Sequence, residues 1–233
     1  YIQHKKLGYD KDKVLVLQNT WMLDKNQDIF RQFVTNDPHV VSVSCSGYLP
    51  AGASYNNNFF VSPGENSTQM IKTLRYDVDE NYIQTLGIKL LEGRNFSKQF
   101  GTDSNSVILN EAAANAFGWR QGALGKTFSR INNKGRKEVY SVIGVIRDFH
   151  FRSLHERISP LVMAFSPDQG NLIVKLRSNA DIPGLAALME KRWTELGAKE
   201  PMSYSFLDER YNNTYKAEQK MGLILGIFAG LTI

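Results

Sequence analysis

Runs of apolar residues change period several times along this chain, and those changes divide it. Asp12 to Leu17 (DKVLVL) reads as a strand. Asp24 and Gln27 then resemble an N-capping pair. Ile29, Phe30, Phe33 and Val34 follow at helical spacing, with a stop before Pro38. Val40 to Cys45 is β-branched and apolar, a second strand, so 12–46 forms a βαβ unit. The same order returns near the other end. Leu172 to Leu176 reads as a strand, and Asp181 with Pro183 opens a helix. That helix sets Leu185, Leu188, Met189, Trp193 and Leu196 on one face and ends at Gly197, before a strand at Ser203–Phe206.

Between these units the pattern is dominated by strands. Residues 47–58 (GYLPAGASYNNN) are a loop by composition. Short strands are expected at Phe59–Val61, Ile71–Val78, Val107–Leu109, Phe128–Ile131, Val139–Ile146 and Leu161–Phe165. A short helix spans Glu80–Leu86, and a second follows Asn110, a good N-cap. The fold class is α+β. Two βαβ units pair into one four-stranded, ferredoxin-like sheet, formed by 1–61 and 169–220, with 62–168 inserted as a β-rich second part.

From Asp208 the chain reads as helical to its end, polar first and then apolar. Met221, Leu223, Ile224, Leu225, Ile227 and Phe228 lie in a charge-free run, 221–233, read as the start of a transmembrane helix cut short. The alternative is an amphipathic helix packed on the body. The chain is therefore expected to be a piece of a larger membrane protein.

Composition narrows the chemistry. A net charge of +5 comes from scattered Lys and Arg, with no basic stripe, so no nucleic-acid partner is expected. The single cysteine, Cys45, allows no internal disulfide and sits in an apolar run. Gly122-Ala-Leu-Gly125-Lys126-Thr127 has two residues between its glycines where a phosphate-binding loop needs four. Asp148, His150 and His155 form an acid–histidine cluster whose spacing does not suit a shared metal. Ser42, Ser44 and Ser46 alternate along a strand without a nucleophile elbow. No enzyme, metal or cofactor is expected.

Four blocks resemble one known family. LGYDKDKVLVL (7–17), DENYIQTLGIKLLEGRNFS (79–97), VILNEAAANAFGWRQGALGK (107–126) and VIGVIRDFHFRSLH (142–155) look like the MacB-type periplasmic core domain of FtsX-like ABC transporter permeases, as found in Bacteroidetes. FLDERYNNTYKAEQKMG then resembles the family's last strand and stalk. The resemblance implies a porter-like body with an inserted Sabre-like subdomain. It also implies a bacterial inner-membrane permease with this domain in the periplasm, and a homodimer or pseudo-dimer. ATP would act only on a separate cytoplasmic ABC ATPase subunit, with the lipid bilayer met through flanking helices. For some members there is a periplasmic adaptor.

On that reading the domain couples ATP-driven helix movement to export or to mechanical work. A hinge is expected at the two chain crossings, near Ser62–Gly64 and Ser166–Gly170. Tyr48, Tyr55 and Phe59 are the candidate contact residues of the loop 48–60. The alternative is an extracytoplasmic ligand-sensing domain of a membrane receptor.

Overall fold

A computed structural model describes residues 7–50, 57–64, 69–151, 156–166 and 170–213. The two terminal βαβ units form the expected body. Strands β1 (Val14–Gln18), β2 (Val40–Ser46), β10 (Asn171–Leu176) and β11 (Ser203–Phe206) lie in the order β11-β1-β10-β2. Every neighbouring pair in this sheet is antiparallel. Helices α1 (Gln27–Thr35) and α4 (Ile182–Glu195) cover one face. Leu15, Leu17, Val43, Leu172 and Val174 pack there against Phe30 and Val34 of α1 and Leu185, Met189 and Trp193 of α4. Phe30 and Trp193 meet edge to face at 5.4 Å, a geometry that suits the quadrupoles of two aromatic rings.

The chain between the units closes on itself. β3 (Asn58–Pro63), β4 (Ile71–Val78), β6 (Ser106–Asn110), β7 (Thr127–Ile131), β8 (Lys137–Ile146) and β9 (Leu161–Phe165) pair in a ring, β4-β3-β7-β8-β6-β9 and back to β4. Within the ring, β3 and β7 are joined by only two residue pairs, Ser62–Ser129 and Pro63–Phe128. β5 (Leu90–Gly93) adds to β8 outside it. Phe59, Val61, Val107, Leu109, Phe128, Tyr140, Val142 and Val162 fill one core, joined by Ala113, Ala114 and Phe117 of α3 (Glu111–Ala116).

Alternate residues on three of these strands face the other way. Leu74, Tyr76 and Val78 of β4, Ile108 of β6, and Leu161 and Met163 of β9 join a second core. That core also takes Val14, Val16 and Ile173 from the uncovered face of the body sheet, and Tyr82 and Ile83 of α2 (Tyr82–Thr85). Val-Ile-Leu in β6 and Leu-Val-Met in β9 are continuous apolar runs because both faces of these strands are buried. The body sheet is thus sandwiched between two helices and the barrel.

Several expectations change. Strand β3 pairs only with β4 and β7, so the inserted part begins before residue 58 and the expected boundary at 61/62 cuts through a strand. Asp24 does not cap α1. It sits at φ 47° inside a 3-10 turn, and the cap position is Asn26. Leu188 is exposed, while Leu185, Met189 and Trp193 are buried. β5 was not expected, because Gly93 and the short apolar run hid it among turn residues. Residues 207–213 are helical, as read. The apolar run with Met221, Leu223, Ile224, Leu225, Ile227 and Phe228 lies outside the described residues, as do Tyr55 and His155. Among the described residues no helix is long and apolar enough to cross a membrane.

Candidate functional site

Body and barrel meet where β2 leaves the body and β10 re-enters it. The two strands are antiparallel neighbours, with Asn171 opposite Ser46, so both crossings lie side by side. Gly170 has φ +96°, and a Cβ there would run into the backbone of Gly47 and Ser46. Only glycine allows that conformation and that approach. Thr20 Oγ1 donates to the Gly170 carbonyl at 2.7 Å, which ties the re-entry to the turn after β1.

At this junction Asp79, at the exit of β4, is fully buried. Its carboxylate accepts from Arg31 of α1 at 2.7 Å, Ser44 Oγ at 2.6 Å, the Cys45 amide at 2.8 Å and the Asn81 amide at 3.1 Å. A buried carboxylate without such donors would be strongly disfavoured. Burial pushes the Asp79 carboxyl above its ordinary value, and Ser44, Cys45 and Arg31 pull the other way. A barrel residue is therefore held by the body's helix and by its edge strand. Ser46 Oγ donates to the Asp77 carbonyl, Asn81 Nδ2 to the Val43 carbonyl, and the Ser166 amide to the Val78 carbonyl. A cavity of about 220 Å³ opens beside it, lined by Thr20, Asp24, Asp28, Arg31, Cys45 and Leu172 among others.

The expected contact residues separate. Tyr48 is half-buried and stacks on Tyr76 at 4.7 Å, and its carbonyl accepts from Tyr82 Oη. It serves the junction. Phe59 is 3% exposed and packs on Phe128 and Tyr140 in the barrel core. It cannot be a contact side chain, because strand alternation turns it inward and turns Phe60 outward, 48% exposed. Ser62 and Pro63 are paired with β7 and the Gly64 amide donates to the Thr127 carbonyl, so that segment belongs to the barrel and is no crossing.

The sequence blocks prove architectural. Asn110 Oδ1 accepts from the Ala113 amide, capping α3, and from the Leu161 amide at the start of β9. Arg94 forks onto Asp103 with bonds of 3.0 and 2.7 Å, and Phe96 stacks on Phe165. The Arg94 guanidinium holds the Asp103 carboxyl below its ordinary range. A Cβ on Gly93, at φ +75°, would strike the Ile143 carbonyl, so the turn before Arg94 requires glycine. In Gly125-Lys126-Thr127 the Gly125 amide is spent on the Val142 carbonyl and Lys126 lies over the Trp119 ring, which is not a phosphate cradle. Asp148 accepts from the Ala112 amide, and its own amide donates to Glu111. No group of His, Cys, Asp and Glu suited to a metal occurs among the described residues.

The first and last described segments sit close together. The Leu7 carbonyl accepts from the His150 amide, and the Asp10 amide donates to the Leu86 carbonyl, so this entry segment straps onto the barrel side. Lys11 Nζ lies 5.8 Å over the ring of Tyr211 in the final described helix. Sequence reading missed Asp79 and Arg31. They are 48 residues apart, and an acidic residue after a strand carries no signal of its own.

This architecture is similar to three solved structures. The periplasmic region of MacB from Actinobacillus actinomycetemcomitans matches with a TM-score of 0.60 at 16% identity, covering 91% of this chain and 96% of that one. A domain described as a permease protein, from Porphyromonas gingivalis, matches at 0.56 and 14%, covering 84% and 91%. The extracellular domain of the noncanonic ABC-type transporter YknZ from Gram-positive bacteria matches at 0.52 and 13%, covering 76% and 88%. At these identities the likeness concerns the fold. No curated protein matches the sequence. The family model of the MacB-like periplasmic core domain matches residues 16–192. With that span and this fold, the chain belongs to the MacB-like periplasmic core domain family.

Proposed function

We propose that this domain is the non-catalytic extracytoplasmic lever of an ABC transporter permease in a bacterial inner membrane. A separate cytoplasmic ABC ATPase drives the membrane helices, and the domain carries their motion outward to a substrate or partner. The first and last described segments, Leu7–Asp10 and 207–213, lie close together and receive that motion together. The observation that carries this reading is the junction. One core is shared by the body sheet and the barrel, and Asp79 is held by Arg31, Ser44 and Cys45. Separating the two parts would expose that core and strand a buried charge, so body and barrel move as one piece, with no cleft opening between them.

Spin labels on two exposed positions, Leu188 on α4 and Gln121 beyond α3, test this in the full permease with Cys45→Ser. The distance distribution between them is expected to be the same with and without ATP. A second, ATP-dependent distance would show that the parts hinge. The isolated domain is expected to hydrolyse no ATP, and turnover that copurifies with it through successive columns would contradict the non-catalytic assignment.

A further inference from the structure

The outer wall of the barrel carries a group of exposed apolar side chains around β3, β7 and β8. Phe60, Met70, Ile131 and Val139 are 48%, 67%, 65% and 49% exposed. The register gathers them on one face: Phe60 lies opposite Lys72, Ile131 opposite Lys137, and Ser129 opposite Val139. β3 and β7 pair only at Ser62–Ser129 and Pro63–Phe128. Beyond those two pairs the strands part, and a groove of about 560 Å³ opens between Phe60 and Met70 on one side and Arg130 and Ile131 on the other. Lys72, Lys134, Arg136 and Lys137 are exposed around it. The carboxylates of these strands are already engaged. Glu138 accepts from Asn132 and Tyr140 and pairs with Arg130, and Asp77 pairs with Arg75. Among the described residues of β3, β4, β7 and β8, no other acidic side chain occurs.

We propose that this face docks an acidic protein segment that carries an apolar side chain, with the apolar side chain seated in the groove between Phe60 and Ile131. An apolar centre ringed by cations is complementary to an apolar anchor flanked by Asp or Glu. A second copy docked face to face is a poor occupant, because its own Lys72, Lys134, Arg136 and Lys137 would face these. A bilayer is a poor occupant as well, since Phe60, Met70 and Ile131 line a concave groove. Phe60, Ile131 and Val139 lie on the solvent side of strands whose inner residues Phe59, Phe128 and Tyr140 fill the barrel core.

The test is titration of the 233-residue chain with a fluorescent acidic peptide bearing Leu and Phe between Glu residues, beside a control peptide with Lys at every Glu. The acidic peptide is expected to bind, and to weaken as salt rises. Lys72→Glu with Lys137→Glu is expected to weaken it by about tenfold or more, and Ile131→Ser to weaken it at every salt concentration. Because these positions are exposed, circular dichroism should show all variants folded. Equal binding of both peptides, or indifference to Ile131→Ser and to the charge reversals, overturns the proposal. So does binding of the chain to phosphatidylglycerol vesicles that the same substitutions abolish while peptide binding persists, or a dimer that Ile131→Ser dissolves.

Discussion

Asp79 shows how much one side chain can decide. Its carboxylate is fully buried and takes four donors, two of them from β2 and one from α1. Asp79→Ala would leave Arg31, Ser44 Oγ and the Cys45 amide without their shared acceptor. Breaking a buried pair by removing one member costs about 3–5 kcal/mol. Urea titration should show a loss of that order, and a loss below about 1 kcal/mol would mean that water replaces the carboxylate at the junction.

Asp103 makes a different prediction. Its carboxyl is held below its ordinary value of 3.8, chiefly by the side-chain bond from Arg94. A carboxyl with a lowered folded pKa contributes stability above its unfolded pKa and loses it as pH falls through the folded one. Urea midpoints should therefore fall in acid, from just below pH 4 downward, and Asp103→Asn should flatten that part of the curve.

Among the elements, the crossings matter most. Gly170 meets Gly47 backbone to backbone at φ +96°. Gly170→Ala should destabilise by more than about 1 kcal/mol, since the new side chain fits neither the space nor the dihedral. The equivalent change at Gly118, also at positive φ but with open space around it, should cost less. Denaturation of the two variants side by side checks this, and equal losses would mean that the dihedral alone matters. α3 likewise depends on Asn110, whose side chain serves both a helix start and a strand start.

Over the whole molecule, the shared core makes body and barrel unfold together. Trp193 lies in the helix-covered core of the body, and Trp119 packs on the barrel core. Two variants, each retaining one of these tryptophans with the others changed to Phe, should give coincident fluorescence transitions when both are measured against circular dichroism. Two separated midpoints would show independent units and would also undercut the single-lever reading.

Much of this was legible in the chain. The period changes marked the terminal βαβ units, because the helices there bury one face at helical spacing while β1 and β10 are short apolar runs buried on both faces, and the ends of β4 and β9 matched the apolar runs. Asn110 was legible as a cap, since capping is a local matter. The resemblance of four sequence blocks to one family was legible too, and their residues turn out to build turns and caps. Phe59 and Phe60 were not distinguishable as neighbours in a short apolar run, because which of them faces inward depends on the register with β4.

Most local elements and the two-unit body were readable along the chain, from period, caps and turn residues within a few positions of one another, and the family from the resemblance of four sequence blocks. What only the tertiary structure decided is the closed ring of strands, the core that joins it to the body, the Asp79–Arg31 pin and the cationic apolar face. Each of these joins residues distant in sequence through pairing and burial, and such contacts leave no periodic trace along the chain.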